Sequence, residues 1–146
     1  MSVNPSDWLK INRDSWDQRT QIHIGSDFYD VEAFKKEGDS LNEIELDLLG
    51  NIKSQKILHL QCHFGMDTLS LEKHGAIATG VDFSEEAISC ANGLKKDMDM
   101  SSEFICQIYM TSILRTATNL TKYFAATESA VGYPTLMSGL KSYPST

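Results

Sequence analysis

The sequence predicts an α/β fold in which a parallel sheet with flanking helices stops, incomplete, after its third strand. Three observations lead there. Short apolar runs alternate with amphipathic segments between Lys56 and Cys106, in the order strand, helix, strand, helix, strand. Connections of that length imply right-handed crossovers and parallel pairing. The turn after the first run contains Gly65, and the second run ends on a carboxylate, Asp82. The pattern then fails after Cys106.

Each element has a local reason. Ser40 followed by Glu43 reads as a capping box, and Leu41, Ile44, Leu48 and Leu49 recur at helical spacing up to a stop at Gly50. Lys56 to Leu60 is a short apolar run bounded by polar residues, as a buried strand is. After a turn at Gln61 to Gly65, Met66, Leu69 and Leu71 predict a helix ending at His74-Gly75. Ile77 to Asp82 reads as the second strand. Ser84 can cap a third helix, with Glu85 and Glu86 in its first turn, where the helix dipole favours negative charge. That helix carries Ala87, Ile88 and Ala91 to about Lys96, and Phe104 to Cys106 follow as the third strand.

Three regions follow. Residues 1–39 are an N-terminal arm of short helices in which Trp8, Trp16, Phe28, Tyr29 and Phe34 sit among charges. These aromatics pack the arm on a core, or Arg19, His23 and Tyr29 face a ligand pocket. Residues 40–106 hold the strand and helix alternation. Residues 107–146 are an atypical tail: only one of the 20 acidic residues, Glu128, lies there, among 12 serines and threonines. Such a segment reads as poorly ordered.

Composition excludes several classes. The formal net charge is -7, which argues against a nucleic-acid or membrane-surface binder because phosphates require a basic face. No apolar stretch approaches a membrane span, and an N-terminus carrying Asp7 and Asp14 is not a signal peptide. Three widely spaced cysteines form no disulfide framework. The expectation is a cytoplasmic protein with reduced thiols.

In a parallel sheet, ligands bind beyond the carboxyl ends of the strands. The turn after the first strand presents amides at a helix N-terminus. Asp82, 17 residues after Gly65, could accept two hydrogen bonds from ribose hydroxyls, and Phe83 could lie against a purine. The plainer alternative is that Asp82 is a turn or cap residue. His59, Cys62 and His63 also suggest zinc, but three candidate ligands split between a strand and its turn favour packed or hydrogen-bonded histidines. Cys62 lacks an identifiable base to act as a nucleophile.

The run Ile57-Leu58-His59-Leu60-Gln61-Cys62-His63-Phe64-Gly65 resembles the first motif of class I methyltransferases dependent on S-adenosyl-L-methionine, and Gly80-Val81-Asp82-Phe83-Ser84-Glu85-Glu86-Ala87-Ile88 resembles the second. The arm, with Trp16-Asp17-x-Arg19-Thr20 and Ser26-x-Phe28-Tyr29-Asp30-Val31, is similar to that of a bacterial small-molecule subgroup. The resemblance implies a Rossmann-like fold, a small-molecule methyl acceptor, and cofactor contacts from His59, Gln61, Cys62, His63, Gly65, Asp82 and Phe83. The family's first motif has an acidic residue where His59 stands and glycines where Gln61, His63 and Gly65 stand. Only Gly65 matches, so the loop is a variant one. A nicotinamide dinucleotide site is the alternative, weakened because the same two residues spoil its glycine fingerprint.

The family's later motifs are missing after Cys106. With codons that the amino acids permit, restoring one base before codon 107 can regroup the message into Ala-Asp-Ile-Tyr-Asp-Leu, which resembles the family's third strand and acidic adenine contact. Leu120 to Thr127 then regroup into a strand-four pattern. The expectation is an out-of-frame tail, a first strand left as an open sheet edge, and an inactive or impaired methyltransferase fragment. Val131 and Leu136 were the apolar residues available to cover it, with Tyr123 and Phe124.

Overall fold

The structure is a computed structural model that describes residues 4–108 and 120–125. The arm is one long helix and one short one. Helix α1 spans Pro5–Ile24, capped by Asn4 and carrying proline in its first turn, where the missing N–H would have no helical partner. Its surface is mixed in character, and polar contacts to the body hold it. The fully buried Thr20 turns its hydroxyl to the Trp16 carbonyl at 2.9 Å. Helix α2, Val31–Glu37, starts at Asp30, which accepts the Ala33 amide at 3.0 Å, and ends at Gly38 with φ 69°.

Helix α3 spans Glu43–Leu49, and its cap differs from the expectation. Asn42 is the cap and Glu45 completes the box. Ser40 is unavailable because its hydroxyl bonds Asp67 and its amide donates to Ser70 Oγ at 2.8 Å. The register shift also changes the buried face: Leu41 and Leu49 enter the core, while Ile44 and Leu48 are exposed.

Strand β1 is Lys56–Leu60, helix α4 Met66–Lys73, strand β2 Ile77–Asp82, helix α5 Glu85–Asp97 and strand β3 Glu103–Cys106. These follow the sequence pattern closely. Ser84 caps α5 by accepting the Ala87 amide at 3.0 Å. Pairing is parallel throughout, with His59 opposite Gly80 and Asp82 opposite Cys106. Side chains alternate across β1. Ile57 joins Leu41, Leu49, Ile52, Leu71 and Ala78 on one face, and Leu58 joins Val81 in a separate cluster. Leu69 of α4 and Leu94 of α5 cluster with Phe34 of α2, and Phe104 of β3 packs against them.

The sheet extends one strand beyond the sequence expectation. Lys122–Phe124 form β4, parallel to β1, giving the order β3-β2-β1-β4. The open edge predicted for β1 is therefore filled along Ile57, Leu58 and His59. Three residues with no alternating context are too short to announce a strand. The partner makes it one: Thr121 donates its amide to the Lys56 carbonyl at 2.9 Å, and Lys122 reaches the Leu49 carbonyl at 2.6 Å. Phe124 is buried in the main core cluster. The expectations for Val131, Leu136 and most of the tail fall outside the described residues.

One polar clamp had no sequence signature. The Glu72 carboxylate, on α4, accepts four hydrogen bonds, from the amides and hydroxyls of Ser101 and Ser102 ahead of β3. Burial pushes its pKa up, but the bonds from Ser102 and Ser101 outweigh that and hold it below the usual carboxylate value. Glu72→Ala should cost about 1.5–3 kcal/mol, the range for hydrogen bonds to a charged group, measured by urea denaturation at neutral pH. Because its folded pKa is depressed, this contribution is present above the ordinary glutamate pKa and is lost as pH falls through the folded value.

Candidate functional site

The candidate site lies beyond the carboxyl ends of β1 and β2. In the strand order β3-β2-β1-β4, connections run one way from β1 to β3 and the opposite way to β4. The chain therefore has its topological switch point between β1 and β4, at the place where open α/β sheets bind ligands. Residues 61–65 form the loop leaving β1 at that point.

The loop's backbone explains how it works without a glycine trio. Gln61 has φ 55°, His63 φ 51° and Gly65 φ 88°. All three positions where the resembling family has glycine adopt the left-handed conformation, two of them with side chains that make it about 1–2 kcal/mol less favourable. Compensating bonds hold the shape. Cys62 donates its amide to the Val81 carbonyl at 3.0 Å, and Gly65 donates to the Cys62 carbonyl at 2.9 Å. His63 donates its amide to Asp82 Oδ2 at 2.9 Å.

Asp82 is thus a loop organiser. Its other oxygen, Oδ1, accepts the Ser84 amide at 3.0 Å. A carboxylate has about four acceptor positions, so these two bonds leave capacity for ligand hydroxyls. Phe83, half-buried, sits between this carboxylate and α5, with its carbonyl 3.7 Å from the Cys106 thiol.

Gly65 and Gly80 are required by packing. A Cβ on Gly65 would meet the Phe104 ring at 2.6 Å, and one on Gly80 would meet that ring at 2.8 Å and the Cys62 sulfur at 2.9 Å. Cys62 is buried, and burial, with Asp82 nearby, raises its pKa well above the usual thiol value. It is therefore a packed thiol and not a nucleophile.

The structure brings Gln61, Cys62, His63, Gly65 and Asp82 together, with Phe83 adjoining. His59 lies beneath them in the core, 2 % exposed, its Nδ1 2.7 Å from Thr68 Oγ1 on α4 and its ring 4.9 Å from that of Phe124. Its Nε2 is buried without a partner. Burial drives its pKa down to about 3, so it is a neutral packed imidazole. Among the described residues, no group of three or more His, Cys, Asp or Glu side chains could hold a metal ion.

Of the three arm residues expected to face a pocket, Tyr29 lines one and His23 meets the loop. A cavity of about 350 Å³ opens between α2 and the loop, lined among others by Tyr29, Phe34, His63, Phe64, Glu37 and Asp67. His23 Nδ1 stands 2.9 Å from His63 Nε2, and Tyr29 contacts both rings. Arg19 instead lies over the Trp16 ring, 5.2 Å from its centroid. Asp17 accepts bonds from the Ser84 hydroxyl and the Glu86 amide. The aromatic content of the arm was the available signal, and its spacing could not say which rings turn inward.

No family model matches the chain. Over 56 residues it is 36% identical to the ubiquinone biosynthesis O-methyltransferase of Coxiella burnetii, a match covering 38% of this chain and 24% of that protein. The match thus spans about a quarter of the length of these curated relatives. Among solved structures, it is similar to a SAM-dependent methyltransferase from Agrobacterium tumefaciens, at 23% identity over 60% of this chain and 26% of that one, with TM-score 0.40. It is also similar to magnesium protoporphyrin IX methyltransferase from Synechocystis with bound SAH, at 18% identity over 68% and 51%, with TM-score 0.41. Among the described residues, no helix is long and apolar enough to cross a membrane.

Proposed function

We propose that this chain carries the cofactor-binding portion of an S-adenosyl-L-methionine-dependent methyltransferase acting on a small molecule. The observation that carries the reading is the conjunction at the switch point: a left-handed loop after β1, bonded through the His63 amide to the carboxylate that ends β2. That pairing sets an acceptor for ribose hydroxyls beside a loop at the N-terminus of α4. The 56-residue likeness to an O-methyltransferase supports the same reading.

The residues present fit such a cofactor with one departure. Asp82 keeps lone pairs for the ribose, Phe83 offers a ring beside it, and loop 61–65 offers backbone groups in the shape glycines would give. His59 replaces the acidic residue that the resemblance implies for the methionine end, and as a neutral imbedded ring it cannot supply that charge. When bound, the sulfonium would supply the activated methyl group. The protein's own part is proximity and orientation, with the cavity beside Tyr29 and His63 as the place for the acceptor. No residue is assigned as an acid or base.

The abrupt compositional break after Cys106 favours a second reading, a fragment without transfer activity whose tail is translated out of frame. Strand β4 is compatible with either, since it depends on three residues. The nucleotide sequence across codons 104 to 112 separates them: a shifted frame that lacks a strand-four pattern downstream removes the second reading.

Calorimetric titration with S-adenosylhomocysteine and with NAD tests the first. Binding of the former alone is expected, NAD alone would overturn the reading, and binding of neither would leave an inert fragment. Asp82→Asn should weaken S-adenosylhomocysteine about 10–100-fold, the value of charged hydrogen bonds worth about 1.5–3 kcal/mol. A thermal melt of the same variant checks that the loop remains folded.

A further inference from the structure

We propose that α1 is a strap across the cofactor loop, latched by the imidazole pair His23 and His63 and released when both rings are protonated. The proposal concerns access to the site and rests on the reading of loop 61–65 and Asp82 as the cofactor's seat. The strap itself rests on contacts. Arg13, Asp17 and Gln21 recur every four residues along α1, so they share one face. Each bonds the start of α5: Arg13 to Glu85 at 3.3 Å, Asp17 to the Ser84 hydroxyl and the Glu86 amide, and Gln21 to the Glu86 carboxylate. The far end of α1 reaches the other side of the seat through His23 and His63, 2.9 Å apart. Asp82 bonds to His63 and to Ser84, so α1 touches both of its neighbours. Asp82 itself is 9% exposed. In this proposal, displacing α1 opens the approach to that carboxylate.

The latch has a defined protonation rule. Two ring nitrogens at 2.9 Å share one proton, one donating and the other accepting. The neutral pair satisfies this, and so does the singly charged pair, whose bond is charge-assisted. Two imidazolium rings place N–H against N–H and charge against charge, so the contact is lost. Among the described residues, these groups lie around the pair. Tyr29 follows α1, and Asp30 caps α2 next to it. Cys62 precedes His63 on the loop, and Asp82 on β2 accepts the His63 amide. On α1, Arg19 lies over Trp16, whose ring meets the edge of His63, and Gln21 holds Glu86 of α5. A second proton would have to join a pair already charged.

Hydrogen exchange read by mass spectrometry between pH 8 and 5, corrected for intrinsic rates, tests the strap in the full chain. Below about pH 5.5, wild-type α1 amides should speed up at least about tenfold more than β1 and β2 amides do. His23→Gln should keep α1 protected throughout, because a carboxamide can both donate to and accept from His63 in either protonation state. Stopped-flow binding of S-adenosylhomocysteine should be faster in acid for the wild type and pH-independent for the variant. Unchanged α1 exchange across the range overturns the proposal. So does an identical midpoint in His23→Gln, and so does loss of strap and sheet protection together in both proteins. If S-adenosylhomocysteine binds at no pH, the cofactor reading fails while exchange still decides the latch.

Discussion

Phe124→Ala is expected to destabilise the fold by about 3–5 kcal/mol, the cost of truncating a buried aromatic ring in a packed core. Phe124 is 1 % exposed and belongs to the same cluster as Leu41, Leu49, Ile52, Ile57 and Leu71. Its ring also lies against that of His59. The substitution acts twice, since it empties core volume and weakens the three-residue strand that covers the β1 edge. An exposed parallel edge is an aggregation surface, so concentration-dependent light scattering should rise along with the fall in the urea midpoint. Phe124→Leu, which retains most of the apolar volume, should recover most of the stability. If Phe124→Ala melts like wild type, β4 contributes nothing and the sheet ends at β1, as the sequence alone suggests.

That contrast marks where the sequence is legible. Between Lys56 and Cys106, period, caps and turns agree with one another, and the strands and helices fall within a residue or two of the expected bounds. Agreement across levels is what makes a segment readable. Asp82 and Gly65 could be placed for the same reason, because each sits at a strand end whose position the pattern had already fixed. The readable region stops where identity depends on a distant partner. Ser40 and Asn42 are both plausible caps, and the choice is made by Asp67 and Ser70, on a helix well downstream. Lys122–Phe124 become a strand only because β1 presents unpaired carbonyls and amides. Gln61 and His63 take left-handed φ angles that glycine would have advertised, and the bonds stabilising them come from Val81 and Asp82. His23 meets His63 across 40 residues of sequence, an encounter no local period encodes.

His59 gives the second large expectation, and its direction follows from linkage. Burial depresses its folded pKa to about 3, against about 6.5 in the unfolded chain. Between those values the unfolded state binds a proton that the folded state refuses, so stability rises with pH there. The contribution is therefore intact above about pH 6.5 and is lost progressively as pH falls toward 3, amounting to about 2 kcal/mol by pH 5. Urea titrations at pH 7, 6 and 5 should show the midpoint falling across a range in which ordinary carboxylates remain mostly ionised. His59→Leu removes the titrating ring and the unpartnered buried Nε2 while leaving apolar volume against Phe124. That variant should lose much less stability between pH 7 and 5 than wild type does. The Glu72 clamp does not imitate the effect, since its folded pKa lies below the usual carboxylate value and it gives way only in stronger acid. Equal pH slopes for wild type and His59→Leu would show that the ring finds a proton-compatible environment in the folded state. A His59 ring held neutral by burial would then be ruled out.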